Sequence, residues 1–328
     1  MLPNVDFAIL EALGLEATSS KLVPHGGSGF SVSYKLIAAK DGQELAFFVK
    51  IGTGLKAEVM FRGEHTSLNA LHAADPSLHL VPRSHAHGAL RAPGKFFLAI
   101  DFLDLNSSAA GGTGLSLAAK LARLHTTPAP IPRGFSNPMF GFPVPTCCGA
   151  TRQDNTWTES WADFYADRRL RAVLKVGGWT EEDRSKELGE AVERVAGVVV
   201  PRLLGDGHLK GVQPVVVHGD LWSGNHGTGR IAGKGGVEEV VFDPSCVYGH
   251  SEYELGIMRM FGGFGSAFWT EYESLVPKAE PEEEWEDRLA LYELYHHLNH
   301  YALFGGAYRS SALSITRKLI SKYGDASR

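Results

Sequence analysis

The chain has 328 residues, is 44% hydrophobic, and carries 37 acidic against 32 basic residues for a net charge of −5. That length and apolar share suit a large core divided over two lobes, and the acidic balance argues against a general nucleic-acid binder. Three cysteines, Cys147, Cys148 and Cys246, are too few for a disulfide framework, so a reducing, cytoplasmic compartment is expected. Residues 1–15 lack the basic start of a secretory signal, and no apolar run reaches membrane-span length.

Residues 7–15 have the pattern of a short amphipathic helix. His25-Gly-Gly-Ser-Gly-Phe-Ser31 follows. Glycines let backbone amides approach phosphate oxygens, so Gly26, Gly27, Ser28 and Gly29 are candidates for a loop over a nucleotide; a plain hairpin turn has the same look. Strands are expected over 31–39 and 44–51, joined by the turn Lys40-Asp-Gly42. The second strand ends Phe47-Phe-Val-Lys50-Ile51. A lysine in so apolar a strand needs an acidic partner, or an edge position open to water.

Residues 57–73 fit a helix. Ala57, Met60, Phe61, Leu68 and Leu71 fall on an arc of about 100°, with Glu64 near its middle. A carboxylate on an apolar stripe calls for a cation, and Lys50 is the candidate; Glu58 lies off the stripe beside Arg62. Strands are expected over 80–82 and 96–103. The second carries Asp101, Phe102 and Leu103 into the hinge between lobes, where their backbone can read an adenine edge. His85 and His87 read as a polar loop. Helices are expected over 115–125, 161–175, 181–204 and 288–304. Another follows Gly249-His-Ser-Glu252, with Ser251 as N-cap and Glu254 as its capping-box partner. The helix with His296, His297 and His300 lacks the glutamate that a zinc helix needs after its first histidine.

Three β-branched residues, Val215 to Val217, run into His218-Gly-Asp220-Leu-Trp-Ser-Gly-Asn225. This is a buried strand feeding a polar loop. Eighteen residues after Asn225, a second apolar strand ends Val240-Val-Phe-Asp243-Pro244. Phosphoryl transfer needs a carboxylate to receive a hydroxyl proton, an amide oxygen for metal and a second carboxylate for metal. Asp220, Asn225 and Asp243 supply the three at the spacing of protein kinases. The fold expected is α+β and protein-kinase-like: a small β-rich lobe over 1–103 and a larger, mainly helical lobe over 104–328. Lys50 would touch the phosphates of ATP, with Asn225 and Asp243 holding Mg²⁺. Trp222 reads equally as a sugar platform or a core residue, and His300 as a hydrogen-bonding group for a sugar hydroxyl. Trp157, Trp161, Cys147 and Cys148 read as packing, and His250 and Glu252 as supports of the catalytic loop.

Phe-Val-Lys50, Phe61-Arg-Gly-Glu64, Leu121-Ala-Arg-Leu-His125, Thr146-Cys-Cys-Gly149, His218-Gly-Asp-Leu-Trp-Ser-Gly-Asn225, Phe242-Asp-Pro244, Tyr248-Gly-His-Ser-Glu-Tyr-Glu-Leu255, Met260-Phe-Gly-Gly-Phe264 and Leu298-Asn-His300 together resemble the fructosamine-3-kinase (ketosamine-3-kinase) family over nearly the whole chain. The resemblance implies ATP-dependent phosphorylation of free or protein-bound ketosamines, mainly on the sugar 3-hydroxyl, after which the adduct falls off. Many members carry Cys in the phosphate loop; this chain has Ser28-Gly-Phe30, so redox control there is not expected. An insertion at 230–236 lengthens the loop between the catalytic strands. The His-Gly-Asp loop is shared with aminoglycoside and choline kinases, so a small-molecule kinase of that type stays open, as does a non-catalytic ATP-binding scaffold. A monomer without nucleic-acid or membrane partners is expected.

Overall fold

A computed structural model describes residues 4–324 apart from 28–30, 109, 178, 182, 184 and 185. The Ser28 and Gly29 expectations lie outside the described residues. Helix α1 (Phe7–Leu13) starts where the Asp6 carboxylate accepts the Ala8 N–H at 2.9 Å and stops at Gly14, whose φ of 63° suits a left-handed cap. Strands β1 (Ser20–Gly27), β2 (Val32–Lys40) and β3 (Gln43–Thr53) lead to helix α2 (Gly54–Ala74), and β4 (Ser84–Ala89) and β5 (Lys95–Asp101) follow. The five strands form one antiparallel sheet in the order β1-β2-β3-β5-β4. Side chains alternate across it. One face packs Leu22, Leu36, Val49 and Phe97 against Ile9 and Leu10 of α1. Ser33, Lys50 and Leu98 are register partners across β2, β3 and β5 and share the opposite face.

The strand expected at 80–82 is displaced. Leu80 and Val81 are buried, but the strand is β4, which contains His85 and His87. Its inward positions are the small Ser84 and Ala86, so its alternation is not one of large apolar against polar residues. His85 Nε2 lies 2.7 Å from Asp101 Oδ1.

The rest of the chain is mainly helical. It runs β6 (Leu103–Asp104), α3 (Leu117–Thr126), β7 (Thr146–Cys148), β8 (Thr151–Gln153), α4 (Trp161–Tyr165), α5 (Glu187–Arg194), α6 (Val200–Leu204), β9 (Val215–Val217), β10 (His226–Ile231), β11 (Glu238–Val241), β12 (Val247–Gly249), α7 (Glu252–Phe261), α8 (Ser266–Leu275), α9 (Trp285–Phe304) and α10 (Tyr308–Tyr323). Wide π turns extend α4 through Ala166–Arg171 and join α5 to α6 through Val195–Val199. The core centres on Trp161, which is 1% exposed, stacks on Phe164 and donates its indole N–H to Tyr292 Oη at 2.8 Å. Helices α7 and α9 approach closely at Gly256, where a Cβ would meet the Tyr292 backbone at 2.8 Å. No described helix is long and apolar enough to cross a membrane.

Candidate active site

Strand β3 lies in the interior of its sheet, so Lys50 has no edge to snorkel from. Its ammonium donates to Glu64 Oε1 at 2.8 Å, to Glu64 Oε2 at 2.9 Å and to Asp243 Oδ1 at 2.7 Å. The Glu64 position on α2 points at β3 because it shares the buried stripe of Phe61, Leu68 and Leu71; Glu58 is exposed. Burial works against the Lys50 charge, but Asp243 and Glu64 outweigh it and hold the ammonium above its usual value. Burial raises the Glu64 carboxyl, with Lys50 opposing.

The two strands that lead to Asp220 and Asp243 end side by side. His218 Nε2 lies 2.9 Å from the Phe242 carbonyl, and its Nδ1 lies 3.3 Å from the Asp220 N–H. These partners assign a neutral ring that donates from Nε2 and accepts at Nδ1; burial lowers its pKa, consistent with that form. Asn225 donates its Nδ2 to the Asp220 carbonyl at 2.8 Å, which leaves the amide oxygen as the group available to a metal. Asp243 has φ of 57°, a left-handed conformation that costs a non-glycine residue about 1–3 kcal/mol and here aims its carboxylate at Lys50. Half of its side chain is open (51%), and that surface faces the cleft.

Asp220 is half-buried. Burial pushes its carboxyl up to about 8; a weak Cys148 S–H contact at 3.5 Å opposes, and the charges of Asp243 and Glu254 add to the rise. Glu254 accepts the Gly219 N–H at 2.9 Å and also the His218 N–H, so one fully buried carboxylate clamps the backbone that presents Asp220.

Lys50, Glu64, Asp220, Trp222, Asn225, Asp243 and His300 all line one cavity of about 450 Å³, together with Ser31. Gly26, Gly27, Asp101, Phe102 and Leu103 do not line it. Gly27 lies at the β1–β2 turn, where a Cβ would meet the Ser31 carbonyl at 2.9 Å. Both Phe102 backbone groups are engaged, the N–H with the Ala46 carbonyl at 3.2 Å and the carbonyl with the Ala232 N–H at 2.9 Å. The Asp101 N–H donates to the Arg83 carbonyl at 2.9 Å, and Leu103 pairs with Ile231. Trp222 is 40% exposed and is not a core residue. His300 Nδ1 lies 2.8 Å from the His296 carbonyl, an arrangement that makes Nδ1 the donor and leaves Nε2 as the acceptor nitrogen.

Three expectations need correction. Glu252 and His250 do not reach the catalytic loop: Glu252 forms a two-point pair with buried Arg288, at 2.7 and 3.0 Å, and His250 Nδ1 meets Tyr292 Oη at 2.8 Å. Glu254 takes that place, so it makes no capping box, and Ser251 makes no side-chain cap. Cys148 is buried, yet it is more than packing because its thiol faces Asp220. Two glutamates two residues apart at the start of a helix rich in apolar residues were the available sign of Glu254's importance. Nothing in the sequence relates Cys148 to Asp220.

Asn225 and Asp243 fit a Mg²⁺ ion, since both present oxygen donors and such an ion keeps its other positions for phosphate and water. Among the described residues no group of three or more His, Cys, Asp or Glu could form an all-protein metal site.

An antiparallel sheet with one helix across it, set over a helical lobe with paired strand-end acids, defines a protein-kinase-like phosphotransferase. The APH(2")-IIIa complex with GDP and kanamycin shares that fold, with a TM-score of 0.51 at 11% identity over 95% of this chain and 99% of that one. The family model for fructosamine kinase matches residues 6–322, and the chain belongs to that family. It is 33% identical to the ketosamine-3-kinase of Mus musculus over 93% of this chain and 97% of that protein. It is 35% identical to the chloroplastic protein-ribulosamine 3-kinase of Arabidopsis thaliana over 82% of this chain and 74% of that protein. A crystal structure from Thermobifida fusca, assigned as a fructosamine-3-kinase, superposes with a TM-score of 0.70 at 26% identity over 97% of this chain and 98% of that one.

Proposed function

We propose that the protein is an ATP-dependent kinase that phosphorylates the 3-hydroxyl of ketosamines such as fructosamine or ribulosamine adducts, a deglycation activity. The observation that carries this is the convergence of Lys50, Glu64, Asp220, Asn225 and Asp243 on one cavity in a chain of the fructosamine kinase family. Asp220, in its ionised form, accepts the proton of the sugar hydroxyl as that oxygen bonds to the γ-phosphorus and the bond to the β-phosphate oxygen breaks to release ADP; burial raises its affinity for that proton. Lys50, oriented by Glu64, donates to the α/β-phosphate oxygens. Asn225 and Asp243 hold Mg²⁺, which supplies charge neutralisation on the transferring group. Positioning and electrostatics account for most of such a reaction, so few side chains suffice. The backbone of Gly26 and Gly27 covers the phosphates.

The backbone of the hinge at 101–103 meets the adenine edge, the Phe102 carbonyl keeping a second lone pair beside the one that accepts the Ala232 N–H. Trp222 stacks on the sugar, and the His300 Nε2 accepts a sugar hydroxyl. The lobes divide at 103–104, inside the short strand β6: β5 before it belongs to the first sheet, and β6 itself pairs with β10 of the second lobe. The described cysteines are unpaired, which suits a reducing cytoplasm.

The aminoglycoside or choline reading needs carboxylates for a cationic substrate. The only acids lining the cavity among the described residues are Glu64, Asp220 and Asp243, all assigned to the reaction. The deciding assay measures ATP consumption with a fructosamine, a ribulosamine, an aminoglycoside and choline side by side, with the phosphorylated carbon located by NMR. Phosphorylation at the ketosamine O3 is expected. Turnover of only the aminoglycoside or choline would overturn the proposal.

A further inference from the structure

Proteins seldom leave large aromatic side chains exposed side by side, because each forfeits about 1.5–3 kcal/mol of burial. Here Trp222, Phe261 and Phe304 are 40, 37 and 64% exposed, and all three line the cavity that contains Asp220. His300 and Tyr308 complete the set. Ring centroids stand 5.8 Å apart for Trp222 and Phe261, 5.0 Å for Phe261 and His300, 5.6 Å for His300 and Phe304, and 5.3 Å for His300 and Tyr308. The five rings make a continuous wall that begins two residues beyond Asp220 and ends on α10.

The wall carries no formal charge of either sign. Among the described lining residues Lys50 is the only lysine or arginine, and it is held by Glu64 and Asp243. Burial lowers the His300 pKa, which favours the neutral ring. A ligand group placed here meets π faces and apolar surface. A carboxylate would lose its hydration without gaining a cation, whereas a protonated amine with an apolar substituent is stabilised by the ring faces and by displacement of water.

We propose that the outer part of this wall, Phe261, Phe304 and Tyr308, beyond the sugar held at Trp222 and His300, receives the amine-borne part of the acceptor, so that the protein selects ketosamines whose nitrogen carries an apolar or aromatic group over those whose nitrogen carries a carboxylate. The inference rests on the kinase reading above and adds the substrate class. The catalytic end handles the sugar and phosphate; the wall decides which amine is attached.

The test compares 1-deoxy-1-(benzylamino)fructose with 1-deoxy-1-(carboxymethylamino)fructose. In the wild-type protein kcat/KM should favour the benzyl compound by ~10-fold or more, the worth of one well-buried ring edge at about 1.4 kcal/mol. Phe304→Ala, Tyr308→Ala and the double variant should bring that ratio toward one, while Leu55→Ala, an exposed leucine outside the cavity, should keep it. Phe304→Ala alone serves if the double variant does not fold, since that side chain is mostly exposed. Calorimetric binding of both compounds without ATP separates the two readings. Preferred binding of the benzyl compound without turnover of either supports the wall and sinks the kinase assignment. Equal turnover and equal binding of the two, or a ratio unchanged in the Phe304 and Tyr308 variants, sinks the wall and leaves the kinase assignment standing.

Discussion

Glu254 accepts the backbone N–H of Gly219 at 2.9 Å from a position on α7 that no solvent reaches, and the same carboxylate takes the His218 N–H. Burial acts to raise its pKa, but contacts with His125 and His218 keep the carboxyl below its usual value, so it stays ionised. The loop carrying Asp220 is thus held by a charge-assisted clamp at its root.

Glu254→Ala leaves two buried amides without acceptors, at a cost of roughly 2–6 kcal/mol. Glu254→Gln keeps one acceptor oxygen and should lower kcat about 10–100-fold through a loosened loop. Its KM for ATP should stay within about threefold, since Lys50 and Asp243 are untouched. Steady-state kinetics with a melting curve check this; a Gln variant with wild-type kcat would show that the clamp does not position the base.

Asp220→Asn should reduce turnover by ~10²–10⁴, the usual contribution of a positioned base. Its ATP affinity should change little, because Asp220 makes no contact with Lys50. Turnover within threefold of wild type would remove Asp220 from the role.

Asp243→Asn should act through the metal instead. The expected result is a large rise in the Mg²⁺ concentration needed for half-maximal rate, with partial recovery at high Mg²⁺. An unchanged Mg²⁺ titration counts against Asp243 as a ligand.

Lys50→Met removes the cation shared by Glu64 and Asp243 and leaves Glu64 buried beside a second carboxylate. Breaking such a pair from one side is costly. Turnover should fall below detection and the melting temperature should drop, whereas Lys50→Met combined with Glu64→Gln should regain part of the stability and none of the activity. Equal melting temperatures for the single and double variants would show that the pair carries no strain of this kind.

Acid should weaken the helical lobe through Asp183. Its carboxylate accepts hydrogen bonds from Thr180 at 2.6 Å, Tyr301 at 2.6 Å and Arg309 at 2.8 Å. Burial raises its pKa, but these three outweigh it and bring the carboxyl down to about 2. A folded value below the unfolded one means the stabilisation is present above pH ~4 and is lost as pH falls toward 2. The shift corresponds to about 2 kcal/mol, and screening through the partly open Arg309 side chain reduces it to about 1 kcal/mol. Asp183→Asn should therefore lower stability at pH 7 and make it less sensitive to acid between pH 4 and 2. A parallel acid profile for wild type and variant would contradict this.

Much of this protein is readable from the sequence by itself, because the relevant physics is local. The β2–β3 turn, α1, and the two strands entering Asp220 and Asp243 follow from periodicity, turn chemistry and fixed spacing along the chain. The pairing of Lys50 with Glu64 is long-range yet legible, because an ionisable group on an apolar strand and another on an apolar helix stripe each demand a partner of opposite charge. Tertiary structure alone decided matters in which a side chain's surroundings come from segments distant in sequence. It gave the catalytic loop to Glu254 and not Glu252, since which of two glutamates on α7 faces β9 depends on how α7 packs on α9. It set Cys148 against Asp220, turned His85 and His87 into a strand whose inward residues are too small to mark it, and engaged the Phe102 backbone that pattern alone leaves free. It also left Trp222, Phe261 and Phe304 exposed along one wall, because burial is a property of the packed whole and not of any residue's own polarity.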